Sequence, residues 1–146
     1  MPQQKIRIEI PDHFKPADRE AIAKDIVEFI RERSEDGVGV RRRGSGFVNA
    51  QFPAYSTSYK ESLDFKIAGK SSHVDLTLSG DMLIALDVLS HKRGSVVVGY
   101  AAGSEENARA EGNILGSYGG SPNPRKARNF LGITDADLRS IIARHE

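Results

Sequence analysis

Two basic clusters are the first groups in this sequence with chemistry to offer. Arg41, Arg42 and Arg43 are consecutive, and Arg125, Lys126 and Arg128 lie in a stretch rich in Gly, Ser, Pro and Asn. Guanidinium groups match phosphate oxygens with paired hydrogen bonds, so either cluster can grip a nucleic-acid backbone. The same groups can pair with acidic residues on a neighbouring subunit, where arginine sets partner choice and orientation more than raw affinity. For the triplet the plainer reading, a solvated turn, is favoured. The chain of 146 residues carries a formal charge of only +1, so any pull toward an acidic partner has to be local.

Other chemistry is hard to assemble from the residues. Gly69-Lys70-Ser71 looks like the end of a phosphate-binding loop, but that loop needs a glycine where Asp64 stands. A solvated loop is the better reading. His13, His73, His91 and His145 are far apart and show no metal-ligand spacing, so each is expected at the surface. No Gly-x-Ser-x-Gly elbow appears, and the carboxylates fall into no motif that would separate an acid from a base. Cysteine is absent, which removes disulfides, thiolate metal sites and cysteine nucleophiles. The expectation is a protein that is not an enzyme and uses no metal or cofactor.

The elements that must position the clusters follow from periodicity. Ile6, Ile8 and Ile10 alternate with Arg7 and Glu9 and stop at Pro11, which predicts a strand with one buried face. From Pro16 to about Arg33, Ile22, Ile26, Phe29 and Ile30 fall on one helical stripe. Proline at the first position, acids in the first turn, cations in the last and Gly37 beyond the end suit the longest helix of the chain. Val38 to Phe52 predicts short strands separated by a Gly44-Ser45-Gly46 turn.

Further on, Ser56 to Leu63 predicts a short helix and Lys66 to Ser72 a loop. Val74, Leu76 and Leu78 alternate like a strand, after which Ser79 can cap a helix carrying Met82, Leu83 and Leu86. Val88 to Lys92 and Ser95 to Tyr100 flank Arg93-Gly94, a hairpin signal. A short helix opening at Ser104 is expected to end near Gly112, leaving Asn113 to Asn129 as an extended loop. Thr134 as cap, Asp137 three residues on and Ile133 set to staple onto Leu138 mark a last helix, with Leu138, Ile141 and Ile142 as its buried stripe. Strands and helices mix without regular alternation, so the predicted class is α+β: a single domain spanning residues 1–146, with a small, mostly antiparallel sheet, one long N-terminal helix, short helices and a C-terminal helix. A chain of this length buries roughly 68–70% of its unfolded surface without needing staples. The opening Met-Pro-Gln-Gln has no apolar run, and Met82 to Leu86 is too short to span a bilayer; synthesis and retention in the cytoplasm, with no membrane partner, are expected.

The order and spacing of four motifs resemble the phage virion morphogenesis and tail-completion family. They are Phe52-Pro-Ala-Tyr55-Ser56 with Tyr59-Lys60; Val74 through Ser79-Gly80-Asp81-Met82-Leu83; Val96-Val97-Val98-Gly99-Tyr100; and Asn129-Phe130-Leu131-Gly132-Ile133 before an acidic helix. The likeness covers roughly Phe52 to Glu146. In the family, the Leu-Ser-Gly-x-Met-Leu step leads a strand into a helix, and the aromatic-Leu-Gly step closes a loop onto the last helix. The sequence departs from the family's usual His and Gly after the short alanine helix, having Glu111-Gly112-Asn113, and from its Arg-Pro, having Arg128-Asn129.

The resemblance implies a non-enzymatic virion part at the neck or tail end, made in the host cytoplasm. It implies partners too: the chain itself in a ring, six-fold as in tail-associated proteins or twelve-fold on a portal, and the adjoining head-tail connector, tail terminator or tail tube proteins. Packaged DNA would pass through the lumen without sequence-specific binding. Closed rings use heterologous interfaces, so two different faces of each subunit should be complementary. The residues expected to reach neighbours are Arg41, Arg42, Arg43, Tyr118, Arg125, Lys126 and Arg128. The competing expectation is a small nucleic-acid-binding protein using Arg41 to Arg43 and Arg125 to Arg128 against phosphates.

Overall fold

A computed structural model of the chain describes residues 3–44, 46–52, 80–115 and 128–146. The expected helix at Ser56–Leu63, the Lys66–Ser72 loop, the Val74–Leu78 strand, the Ser79 cap, His73, Tyr118, Arg125 and Lys126 lie outside them. The elements are β1 (Lys5–Glu9), α1 (Pro16–Glu35), β2 (Val38–Arg43), β3 (Gly46–Gln51), α2 (Gly80–Ile84), β4 (Asp87–Lys92), β5 (Ser95–Gly99), α3 (Glu105–Leu115) and α4 (Asp135–Ala143). The class is α+β. An antiparallel sheet of order β1-β5-β4 packs against α1, and β2 and β3 form a separate antiparallel ribbon.

Local signals set β1, α1, the β4–β5 hairpin and α4. In β1 the alternation puts Ile8 in the core and Arg7 and Glu9 in solvent. Helix α1 begins with Pro16 at its first turn, and Arg19 N–H donates to the Lys15 carbonyl at 3.0 Å. It ends because Gly37 takes a φ of 81°, a conformation open to a residue without Cβ, while its N–H donates to the Ser34 carbonyl at 3.0 Å. Ile22, Ile26 and Ile30 on its inner face are fully buried, each worth about 1.5–3 kcal/mol of transfer free energy. Phe29, expected in the same stripe, is only half-buried at its margin.

The β4–β5 hairpin turns through Arg93 and Gly94, with Gly94 at a φ of 86°. Val88 pairs with Val98 but Ser90 with Val97, so Leu89 is an extra, bulged residue of β4. Thr134 caps α4: its hydroxyl oxygen accepts from the Asp137 N–H at 3.2 Å, a bond worth about 1 kcal/mol. The hydroxyl in turn donates to the Asp137 carboxylate at 2.8 Å. The carboxylate therefore engages the capping side chain, where the reciprocal box would have it reach the cap's own N–H.

Three expectations need correcting. Helix α3 does not stop near Gly112; it runs to Leu115. Asn113, expected to open the long loop, is buried in it, its side-chain amide donating to the Arg109 carbonyl at 3.0 Å and lying 3.5 Å from Met82 Sδ. Tertiary contact carries the helix past the glycine. His145 is not a free surface histidine: its ring lies 2.7 Å from Asp25 and ties the chain's last turn to α1. The arginine triplet does not form the turn of its segment but occupies the last three positions of β2.

One buried cluster draws on β1, α1, α2, β5, α3, the Phe130–Ile133 segment and α4, with half-buried Val88 of β4 packed against it. Among the described residues no helix is long and apolar enough to cross a membrane, and no group of three His, Cys, Asp or Glu is placed to hold a metal ion.

Candidate functional site

The arginine strand is mounted on the body by a chain of contacts that begins inside α1. Arg33 falls three residues after Ile30 and seven after Ile26 along the buried stripe, so the helix carries its guanidinium inward, and only 8% of the residue is exposed. There Nη1 donates to the Gly132 carbonyl at 2.7 Å, Nη2 to the Phe130 carbonyl, and Nε to the Val38 carbonyl at 3.2 Å. One side chain thus joins the end of α1, the start of β2 and the Phe130–Gly132 step. Desolvation by burial lowers its pKa to about 10, with Asp137 acting in the other direction.

Next to this clamp, Val40 N–H donates to the Asn129 carbonyl at 2.8 Å. Gly39 and Gly132 make that approach possible: a Cβ on Gly39 would overlap the Asn129 carbonyl and the Phe52 ring, and one on Gly132 would lie 2.6 Å from Val40 Cγ2. Beyond the anchored base, Arg41, Arg42 and Arg43 are exposed. Arg42 is paired across the ribbon with Phe47 and stacks 5.0 Å over its ring, while strand alternation turns Arg41 and Arg43 to the opposite face.

Of the second basic cluster, Arg128 is described. Its N–H donates to the Asn113 carbonyl at 2.6 Å, and the Val40–Asn129 bond sets it beside the base of β2. The structure therefore brings the Arg128–Asn129 backbone to the base of the arginine strand, two segments that sequence separation alone gave no reason to join. Sequence reasoning missed Arg33 and its neighbour Arg31. Arg31 caps the end of α2, donating from Nε to the Leu83 carbonyl at 2.8 Å and from Nη2 to those of Ile84 and Leu86 at 2.8 and 2.7 Å. A signal for Arg33 existed: an arginine standing where the helical stripe calls for an apolar residue.

Tyr100, at the end of the Val96–Tyr100 motif, is fully buried, donates its hydroxyl to the Met82 carbonyl at 2.8 Å and packs edge-on to Phe130. Burial raises its pKa well above the phenol value, with smaller opposed contributions from Arg31 and Glu106. A phenol that ionises near pH 10 only when unfolded costs the protein stability as pH rises past that point. Arg33 acts with the opposite sign, because its unfolded form holds a proton that the folded form releases above about 10. Tyr100→Phe should therefore lose about 1 kcal/mol at neutral pH through the Met82 bond. Above pH 10 its urea-unfolding free energy should also fall less steeply than that of the unaltered chain, Arg33 contributing equally to both. Parallel pH curves would refute this account of Tyr100.

No protein-family model, curated protein or solved structure matches the chain.

Proposed function

We propose that this chain is a structural component of a bacteriophage virion at the head-tail junction, a neck or tail-completion ring that acts through contacts between subunits. The motif order of its second half supports this reading, and the observation that carries it is the arginine ribbon. Its base is fastened by Arg33 and the Val40–Asn129 bond, while Arg41 to Arg43 face solvent from both sides. A fixed charged projection suits docking on an acidic face of a neighbouring subunit or adjoining ring, because ordering costs are met in advance.

Electron microscopy of purified virions tests it: density for the chain as a ring between head and tail is expected, and its absence from virions overturns the proposal. Replacing Arg41, Arg42 and Arg43 by serine should leave the fold intact, since all three are exposed, and should reduce the yield of joined particles several-fold. An unchanged yield would remove the ribbon from the mechanism.

The juxtaposition of Arg128 with the arginine strand favours one second reading, nucleic-acid binding. It requires affinity that falls steeply with salt, with a log-log slope of about −0.9 per phosphate neutralised on duplex DNA, and that disappears in the serine variant. A virion-free chain that binds DNA in this way would replace the structural reading.

A further inference from the structure

The sheet β1-β5-β4 ends, among the described residues, on two unpaired edges. Their charges are matched level by level. Lys5 and Asp87 both stand opposite Gly99, and Glu9 and Lys92 both stand opposite Ser95. Between them, Arg7 shares the level of Ser90 and Ile6 that of Val88. All four end residues are exposed. Because both strands run antiparallel to β5, β1 and β4 point the same way.

The backbone of β1 is in phase for pairing. Ile10 N–H donates to the Gly94 carbonyl and Tyr100 N–H to the Gln4 carbonyl, each at 3.0 Å. The even-numbered residues therefore bond β5, and alternation turns the N–H and C=O of Lys5, Arg7 and Glu9 to the open side. At the other edge, among the described residues, a groove of about 530 Å³ runs between Glu20 and Lys24 of α1 and Asp87–His91 of β4, and the bulged Leu89 is exposed there.

We propose that β1 of one subunit adds in parallel to β4 of the next copy, so that the sheet continues from subunit to subunit around the ring. This rests on the ring reading above. A copy rotated about an axis along the strands brings each level against its own level, Lys5 against Asp87 and Glu9 against Lys92, with no like charges opposed. An antiparallel β1–β4 contact would set Lys5 against Lys92 and Glu9 against Asp87, and a β1–β1 pair would set Arg7 against itself. A β4–β4 pair is matched in charge but leaves both β1 edges bare and stops at a dimer. Charged edges also protect sheets from aggregation, but protection alone does not require opposite signs at shared levels. A heterologous contact of this kind closes into a ring when its rotation divides the circle.

The chain has no cysteine, so the full-length Lys5→Cys/Asp87→Cys variant reports the contact directly; adjacent strands lie about 4.8 Å apart, within disulfide reach. Oxidation should give a reducible ladder extending beyond the dimer and ending at one closed species, while either single variant gives nothing larger than a dimer. Lys5→Glu should weaken assembly several-fold in sedimentation, and Lys5→Glu/Asp87→Lys should restore it. No species beyond a dimer, or no rescue by the double reversal, overturns the edge pairing. If sedimentation or virion density still shows a ring in that case, the ring reading survives and only this contact falls.

Discussion

Arg33→Met is expected to lower the free energy of unfolding by on the order of 3 kcal/mol. The magnitudes decide the sign. Burial, net of the opposing Asp137 attraction, disfavours the charged guanidinium by roughly 3 kcal/mol, by the conversion of its pKa displacement to about 10. Against that stand three bonds from a charged donor, each worth about 1.5–3 kcal/mol. Exchanging a buried ion pair for apolar groups is often neutral because both charges leave together. Here the acceptors are the backbone carbonyls of Val38, Phe130 and Gly132, which stay behind without their donor. Lysine should not rescue, since a single ammonium cannot reproduce the planar fork that spans three carbonyls. Urea midpoints for the two variants check this, and a methionine variant within 0.5 kcal/mol of the unaltered chain, the ordinary scatter of surface substitutions, would show that other donors serve those carbonyls.

Gly39→Ala is the second large effect. Its Cβ would overlap the Asn129 carbonyl oxygen and the Phe52 ring and lie 3.0 Å from the Asn129 carbonyl carbon. The ring can swing, but the carbonyl is held by Val40 N–H, so β2 has to part from the Asn129 segment. A loss of about 3 kcal/mol follows from overpacking a fixed backbone, seen as a fall in melting temperature of roughly 10 °C. Gly44→Ala makes the contrast, because nothing lies within 4 Å of its Cβ position and only the φ of 64° is unfavourable; it should lose about 1–2 kcal/mol. Equal losses at the two positions would place the strain in the ribbon's conformation and not in its approach to Asn129.

What the sequence made legible was whatever depends on near neighbours. Alternating isoleucines place β1, the Ile22–Ile26–Ile30 stripe orients α1, and Thr134 with Asp137 starts α4 at the right residue. The α+β class follows from these alone. The mounting of the arginine ribbon was not legible, because Arg33 meets Phe130 and Gly132 across 97 and 99 residues and no periodicity reports such a meeting. The end of α3 was hidden for the same reason: Gly112 is a local stop signal, and the contacts of Asn113 that override it come from α2 and Arg128. Of the candidate interaction residues, Arg41, Arg42 and Arg43 are proposed from residue type alone, and their shared strand and distribution over its two faces needed the fold.

The pairing of β1 with β5 also sets the timetable on which the chain can fold as it is made. Arg7 faces Val97, about 90 residues later, so at 5–20 residues per second a ribosome leaves the first strand without its partner for roughly 5–20 s. Helix α1 can form within microseconds of emerging, yet its apolar stripe has no sheet to cover until the β4–β5 hairpin arrives. During that interval the nascent chain exposes Ile22, Ile26 and Ile30 beside an unpaired strand, a state open to capture by other chains and one in which a folding helper has most to protect.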